Sequence, residues 1–243
     1  MRRLLDALFP RRCPLCGALL DAASDRLCPD CAAAWRREGT ARCARCGERA
    51  PDCRCLPRAL SDVPVRALTA AAFYDPPRLP QTAALLYRLK ENPDGGAAAV
   101  FSRALSSLLL SRLARMGETP SAWRLTYLPR TPQAVRRYGF DQGRRLCRLC
   151  ARSTGIPSAS LFTRRAGEEQ KTLGAAARQQ NAAASLSLAR TARVRGGRFI
   201  LLDDIVTSGA TMAAAARLLL DGGAEAVLIL CAARSCRVQE QAE

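Results

Sequence analysis

From residue 65 onward, short apolar runs alternate with longer stretches in which apolar residues recur every third or fourth position. The first pattern belongs to strands and the second to amphipathic helices. VRALTAAAFYD (65–75) reads as a strand, LPQTAALLYRLKE (79–91) as a helix, AAAVFSRALSSLLLSRLARM (97–116) as a long helix and RLTYLP (124–129) as a short strand. One further helical pattern runs from Thr131 to Thr154, and a strand is expected near Ser158 to Phe162. The polar stretch from Thr163 to Asn181 reads as a surface loop or flap. The last third is the clearest: RFILL is a buried-type strand, ATMAAAARLLL a helix closed by Gly222 and Gly223, and AVLILCA a second buried strand. Strands separated by helices predict an α/β fold with a mostly parallel sheet flanked by helices.

The first part of the chain has a different composition. Eight of the 12 cysteines lie between Cys13 and Cys55. The expected division is a cysteine-rich module over 1–57, a linker over 58–64, the α/β domain over 65–237 and a tail over 238–243. The opening MRRLLDALFPRRC has its apolar run broken by Asp6 and closed by Pro10, too short for a signal-peptide core. No stretch reaches the ~20 uncharged apolar residues of a membrane span, so a cytoplasmic location without a span is expected. Thiols stay reduced there, and clustered cysteines then hold metal more often than they form disulfides.

Cys13, Cys16, Cys28 and Cys31 form two C-x-x-C knuckles, a spacing that lets four thiolates converge on a tetrahedral structural Zn²⁺. Cys43, Cys46, Cys53 and Cys55 supply a second set, so one or two zinc ions are expected, with interleaved pairing of the four arms left open. The module has few large apolar residues, and zinc would supply much of its folding free energy. Cys147, Cys150 and Cys231 fall on apolar faces and read as core residues, while Cys236 is unassigned.

The net charge of +17 favours phosphates, nucleic acid or another anionic surface. It also fits a plain compositional bias, since Lys90 and Lys171 are the only lysines among 38 basic residues. The absence of histidine excludes a His-based triad and His zinc ligands.

The candidate site is in RFILLDDIVTSGATMAAAARLLL. Asp203 and Asp204 stand near the C-terminal end of a buried strand, where open α/β sheets bind ligands. A loop through Thr207, Ser208 and Gly209 then enters a helix at Ala210 and Thr211. Helix N-termini offer unpaired N–H groups and a favourable dipole to a phosphate. The hydroxyls add donors, and two carboxylates suit the vicinal hydroxyls of a ribose, so the segment reads as a ribose 5-phosphate site. No Walker-type or G-x-G-x-x-G stretch competes with it.

ILLDDIVTSGAT resembles the phosphoribosyl-pyrophosphate signature of type I phosphoribosyltransferases. Together with the cysteine-rich start, Arg88 to Lys90, LPRTPQAVRRYGFDQ (128–142) and the spaced Gln170, Leu173, Arg178 and Asn181, the chain resembles the ComF family of competence-associated proteins. It departs in having Tyr138-Gly139-Phe140-Asp141-Gln142 where Arg-Gly-Phe-Asn-Gln is usual, and in having Glu91 after Lys90 without a nearby glycine. The resemblance implies a type I phosphoribosyltransferase-like fold behind a double zinc ribbon, phosphoribosyl pyrophosphate or a related ligand, and Mg²⁺. It also implies a role in DNA uptake, with single-stranded DNA and competence or helicase proteins as partners. Catalytic roles fall on Asp203, Asp204 and Lys90, ligand binding also on Thr207 to Thr211 and Arg137, with Arg136 close behind, and a flap over the acceptor on Gln170, Arg178 and Asn181. Turnover as a pentosyl-transferring enzyme stays open against a non-enzymatic single-stranded-DNA adaptor using the same loop, and a nucleobase salvage transferase ranks third.

Overall fold

In the computed structural model, residues 10–20, 26–92, 96–165 and 185–239 are described, and the structural statements below concern these. The central sheet has the order β1-β6-β5-β2, formed by Ala67–Tyr74 (β1), Ala226–Ser235 (β6), Arg198–Val206 (β5) and Trp123–Tyr127 (β2), with every pair parallel. β5 and β6 are the two inner strands and bury residues on both faces, as their unbroken apolar runs require. Phe162–Arg164 (β3) and Leu186–Leu188 (β4) form a separate antiparallel pair.

Alternate residues of the inner strands serve two cores. Ile200, Leu202, Leu228 and Leu230 face a cluster built with Pro80–Glu91 (α2), Gly96–Arg115 (α3) and Gln142–Thr154 (α5). Phe199, Leu201, Val227 and Ile229 face a second cluster with Ala210–Asp221 (α6), Leu60 and Val63. α3 has the length and apolarity of a membrane span by composition, but half of that stretch is buried inside the fold, with Leu105, Leu109 and Leu113 fully enclosed. It is the central helix of the first core.

Three expectations change. The single helical pattern from Thr131 to Thr154 is two helices, Pro132–Tyr138 (α4) and α5. Gly139 closes α4 in the left-handed region at φ 76°, and the Asp141 carboxylate accepts from Arg144 N–H to start α5. Near Ser158 there is only an isolated parallel bridge to Leu125, and the strand itself begins at Phe162, because Pro157 and its neighbours pair with β2 one residue at a time. Residues 58–64 are no loose linker: Arg58–Leu60 is a 3₁₀ turn, and Leu60 and Val63 are core residues of the second cluster.

The cysteine-rich module is likewise packed onto the sheet domain. Its helix Pro29–Glu38 (α1) sets Trp35 edge-on to Phe101 of α3, with ring centroids 6.0 Å apart, and Cys13 and Leu27 join the first core. A third cluster joins Ala41, Cys43, Ala50 and Cys53 to Phe73, Leu79 and Val238. Val238, placed in the tail by the expected division, is buried and bridges Cys43.

Candidate functional site

β5 runs four residues past the apolar run RFILL and two past the aspartate pair. Ile205 and Val206 remain paired with Ala233 and Arg234, so Asp203 and Asp204 lie within the strand and not beyond its end. The chain then leaves through exposed Thr207 and Ser208 to Gly209, whose φ of 79° is the left-handed conformation that glycine adopts without strain. A Cβ at Gly209 would also lie 3.1 Å from Pro57 Cβ and 3.2 Å from Leu60, so the turn is held down by the segment leaving the cysteine module. Gly209 is the residue from which α6 starts, and Asp203 with Thr207, Ser208, Gly209, Ala210 and Thr211 lines a shallow open pocket at that helix N-terminus.

The two carboxylates are in different surroundings. Asp203 Oδ1 accepts from Asp204 N–H at 2.8 Å, and Asp204 Oδ1 accepts from Ile205 N–H at 2.7 Å. Burial first, and the like charge of Asp204 next, push the Asp203 carboxyl well above the usual carboxylate range. Asp204 is buried and receives outside donors: Gln142 Nε2 at 3.3 Å and Lys90 Nζ at 3.6 Å both approach its Oδ2. Lys90 comes from the last turn of α2 and Gln142 from the first turn of α5. Gly143 makes the latter approach possible, because a Cβ there would meet Leu128 O at 2.8 Å.

Two arginines complete the surroundings. Arg130 donates through its backbone N–H to Asp141 Oδ2 (2.8 Å), through Nη2 to Lys90 O (2.6 Å) and through Nη1 to Phe140 O (3.3 Å), with its guanidinium over the Tyr138 ring. It thereby ties the end of α2 to the turn between α4 and α5. Arg164 of β3 donates to Pro129 O at 3.2 Å and to Ser185 Oγ at 3.2 Å. Burial lowers the pKa of both arginines; the carboxylates of Asp204 and Asp141 oppose this at Arg130, and those of Asp203 and Asp141 at Arg164. Both sit in the field of the acidic pair.

These features agree with what sequence comparison finds. Residues 4–60 match the double zinc ribbon domain and residues 150–242 the phosphoribosyl transferase domain. The chain is 30% identical over 207 residues to the DNA utilization protein YhgH of Salmonella typhi, covering 82% of this chain and 86% of that one. It is 31% identical over 201 residues to the protein of the same name from Escherichia coli K12, covering 79% and 84%. The chain belongs to the ComF family. Its fold is of the type I phosphoribosyltransferase kind, with an N-terminal zinc ribbon. Among solved structures it overlaps the phosphoribosylpyrophosphate synthetase of Mycobacterium smegmatis at TM-score 0.34 and 19% identity, over 55% of this chain and 33% of that one.

The ComF ribbon holds two cysteine sets in sequence order, without interleaving: Cys13, Cys16, Cys28 and Cys31, then Cys43, Cys46, Cys53 and Cys55. Within each set the sulfurs lie within 4.8 Å of one another. That fits tetrahedral zinc, whose Zn–S bonds of ~2.3 Å set sulfur–sulfur edges near ~3.8 Å. Each set opens with the same hairpin. Gly17 N–H donates to Cys13 O and Gly47 N–H to Cys43 O, both at 2.9 Å, and both glycines have positive φ. Burial would raise the Cys13 and Cys43 thiols, but backbone donors at each knuckle outweigh it and bring Cys13 down to about 7 and Cys43 to about 6. Cys147, Cys150 and Cys231 are buried core residues, as their apolar settings predict.

Of the residues expected at the ComF site, Asp203, Asp204, Lys90 and the 207–211 loop come together. Arg137 does not: it is exposed on α4, its guanidinium 5.4 Å from the Tyr138 ring, with Arg136 exposed beside it. Arg130 and Arg164 stand nearer the acidic pair; Arg130 lies in the 128–142 motif without a role given to it, and nothing local separates either from the chain's many other arginines. Gln142 closes the same 128–142 motif, which by itself gives it no role. Gln170, Arg178 and Asn181 lie outside the described residues.

Proposed function

We propose that this ComF-family chain binds phosphoribosyl pyrophosphate, or a related ribose 5-phosphate ligand, together with Mg²⁺, and acts on it as a phosphoribosyltransferase in DNA utilization. The observation that carries this reading is the continuous run from Asp203 and Asp204 through Thr207, Ser208 and Gly209 into the N-terminus of α6. The loop hydroxyls and the first amides of α6 suit a monophosphate, and the carboxylates suit the ribose hydroxyls. Gln142 Oε1, buried and without a hydrogen-bond partner among the described residues, offers a further acceptor there.

Mg²⁺ would neutralise charge on a departing pyrophosphate, with Asp203 and Asp204 as hard oxygen donors directly or through water. Lys90 and Arg130 are the cations at hand for the same side. With no histidine in the chain, proton handling falls to carboxylates, tyrosine or the ligand. A cytoplasmic setting fits a chain whose eight ribbon thiols are grouped for metal.

The test is a calorimetric titration of the zinc-loaded protein with phosphoribosyl pyrophosphate and Mg²⁺, beside the Asp203→Asn, Asp204→Asn double variant of verified fold. Binding by the parent that the variant loses supports the reading; a parent that does not bind refutes it.

A second reading, contact with a nucleic-acid backbone, is favoured by a groove of about 910 Å³ along α4 and α5. Arg130, Arg136, Arg144, Arg145, Arg148 and Arg152 line it, against the single acid Asp141. Arg144, Arg148 and Arg152 repeat every four residues on the exposed face of α5, a stripe suited to successive phosphates. Single-stranded DNA binding that survives the double aspartate variant would support this as a separate activity; DNA binding lost with the aspartates would overturn the separation.

A further inference from the structure

The segment that follows β6, residues 236–239, is built into the second zinc ribbon. After β6, Ala44 N–H donates to Arg237 O (2.9 Å), Gln239 N–H to Arg42 O (2.8 Å), and Val238 bridges Cys43. The buried Arg234 at the end of β6 donates from Nη1 to Cys53 O at 3.1 Å and from Nη2 to Cys55 O. Between these anchors lies Cys236, with its Sγ 3.2 Å from Cys43 Sγ. That is closer than Cys46 is to Cys53 within the cysteine set itself, where the sulfurs are 3.6 Å apart. Cys236 is not one of the four sulfurs that lie within 4.8 Å of one another, but its contact with Cys43 sets it directly beside the ion those four could hold through ~2.3 Å Zn–S bonds.

The four established thiols are not equally held. Cys43 and Cys46 form the C-x-x-C knuckle, with Arg45 N–H on Cys43 Sγ, and Cys53 is fully buried. Cys55 is the partly exposed end of the tight C-x-C pair.

We propose that the second zinc centre is a five-thiol site in which Cys236 shares the fourth coordination position with Cys55. In the exchange the Zn–S bond to Cys55 breaks and one to Cys236 forms, with the proton passing from Cys236 to Cys55, so the charge of the ZnS₄ unit is unchanged. The metal then fastens the end of β6 directly to the ribbon, and β6 is the strand that pairs with Asp203, Ile205 and Val206 of β5.

The test is zinc content per full-length chain, by native mass spectrometry. Cys55→Ser should still hold two zinc ions, and Cys55→Ser with Cys236→Ser should hold one. A Cys55→Ser chain that holds one zinc while Cys236 is intact overturns the proposal. Should Cys55→Ser fail to fold, the wild-type protein loaded with ¹¹³Cd gives an independent readout. Scalar coupling between the Cys236 Hβ protons and the second-site cadmium supports shared ligation; coupling confined to Cys43, Cys46, Cys53 and Cys55 refutes it.

Discussion

Replacing Glu38 by alanine removes the carboxylate that caps α2 from outside its own sequence. Pro80 occupies the first turn of α2 and needs no partner for its missing N–H, while the residue at the N-cap, Leu79, has no side chain able to accept a hydrogen bond. The two amides next in line, Gln81 and Thr82, donate instead to Glu38 Oε1 at 2.6 Å and Oε2 at 2.8 Å. Loss of an N-cap acceptor costs about 0.5–2 kcal/mol, and the upper half applies here because two charge-assisted bonds go at once and Thr82 is buried. For a chain of this size about 1–2 kcal/mol corresponds to a fall in Tm of roughly 2–8 °C. Calorimetric melting of zinc-loaded Glu38→Ala and Glu38→Gln checks this. Glu38→Gln keeps one acceptor oxygen and should fall between parent and alanine variant. A Glu38→Ala melt within 1 °C of the parent, on the ~2 °C per kcal/mol lower bound, would refute the cap.

Asp203 gives a pH dependence of definite sign. Its carboxyl in the folded protein is held well above the ordinary value, so between those two values the native state carries a proton that the unfolded chain has released. Stability therefore falls as pH rises through that window, and Asp203→Asn should remove this part of the slope in urea midpoints taken across pH; parallel profiles for parent and variant would contradict it. Gly209→Ala places a side chain at φ 79° and 3.1 Å from Pro57 Cβ, so it should cost about 1–2 kcal/mol from the backbone alone and weaken phosphoribosyl pyrophosphate binding at least tenfold. Unchanged affinity in calorimetry would argue against a phosphate at the start of α6. If the α5 stripe meets nucleic acid, replacing Arg144, Arg148 and Arg152 by serine should reduce the salt slope of single-stranded DNA binding by about 2, at ~0.7 per phosphate contact. An unaltered slope would locate any DNA contact elsewhere.

Much of the fold was legible because its signals are local. RFILL, ATMAAAARLLL and AVLILCA announce two inner strands and the helix between them by spacing alone, and the aspartate pair with its Thr-Ser-Gly loop marks the candidate site within a dozen residues. The C-x-x-C knuckles identify a metal module in the same way, since ligand spacing is itself the chemistry. The break of 131–154 into two helices was also within reach: Gly139 followed by Asp141 is a stop and a start in succession.

What the sequence could not settle is which distant groups share a space. Lys90 reaches Asp204 because α2 ends over the C-terminal edge of the sheet, and Gln142 does so because Gly143 lets α5 close on the end of β2. Arg130 and Arg164 enter the site, and Arg137 does not, through the turn between α4 and α5 and the placement of β3, features without a periodic signature. The same holds for Glu38 on α2, Leu60 against Gly209 and Cys236 beside Cys43. Periodicity reports which face of an element is apolar; it carries nothing about which polar groups on other elements come to lie opposite. That choice is made by packing, after strand order and helix docking have been decided by the whole core.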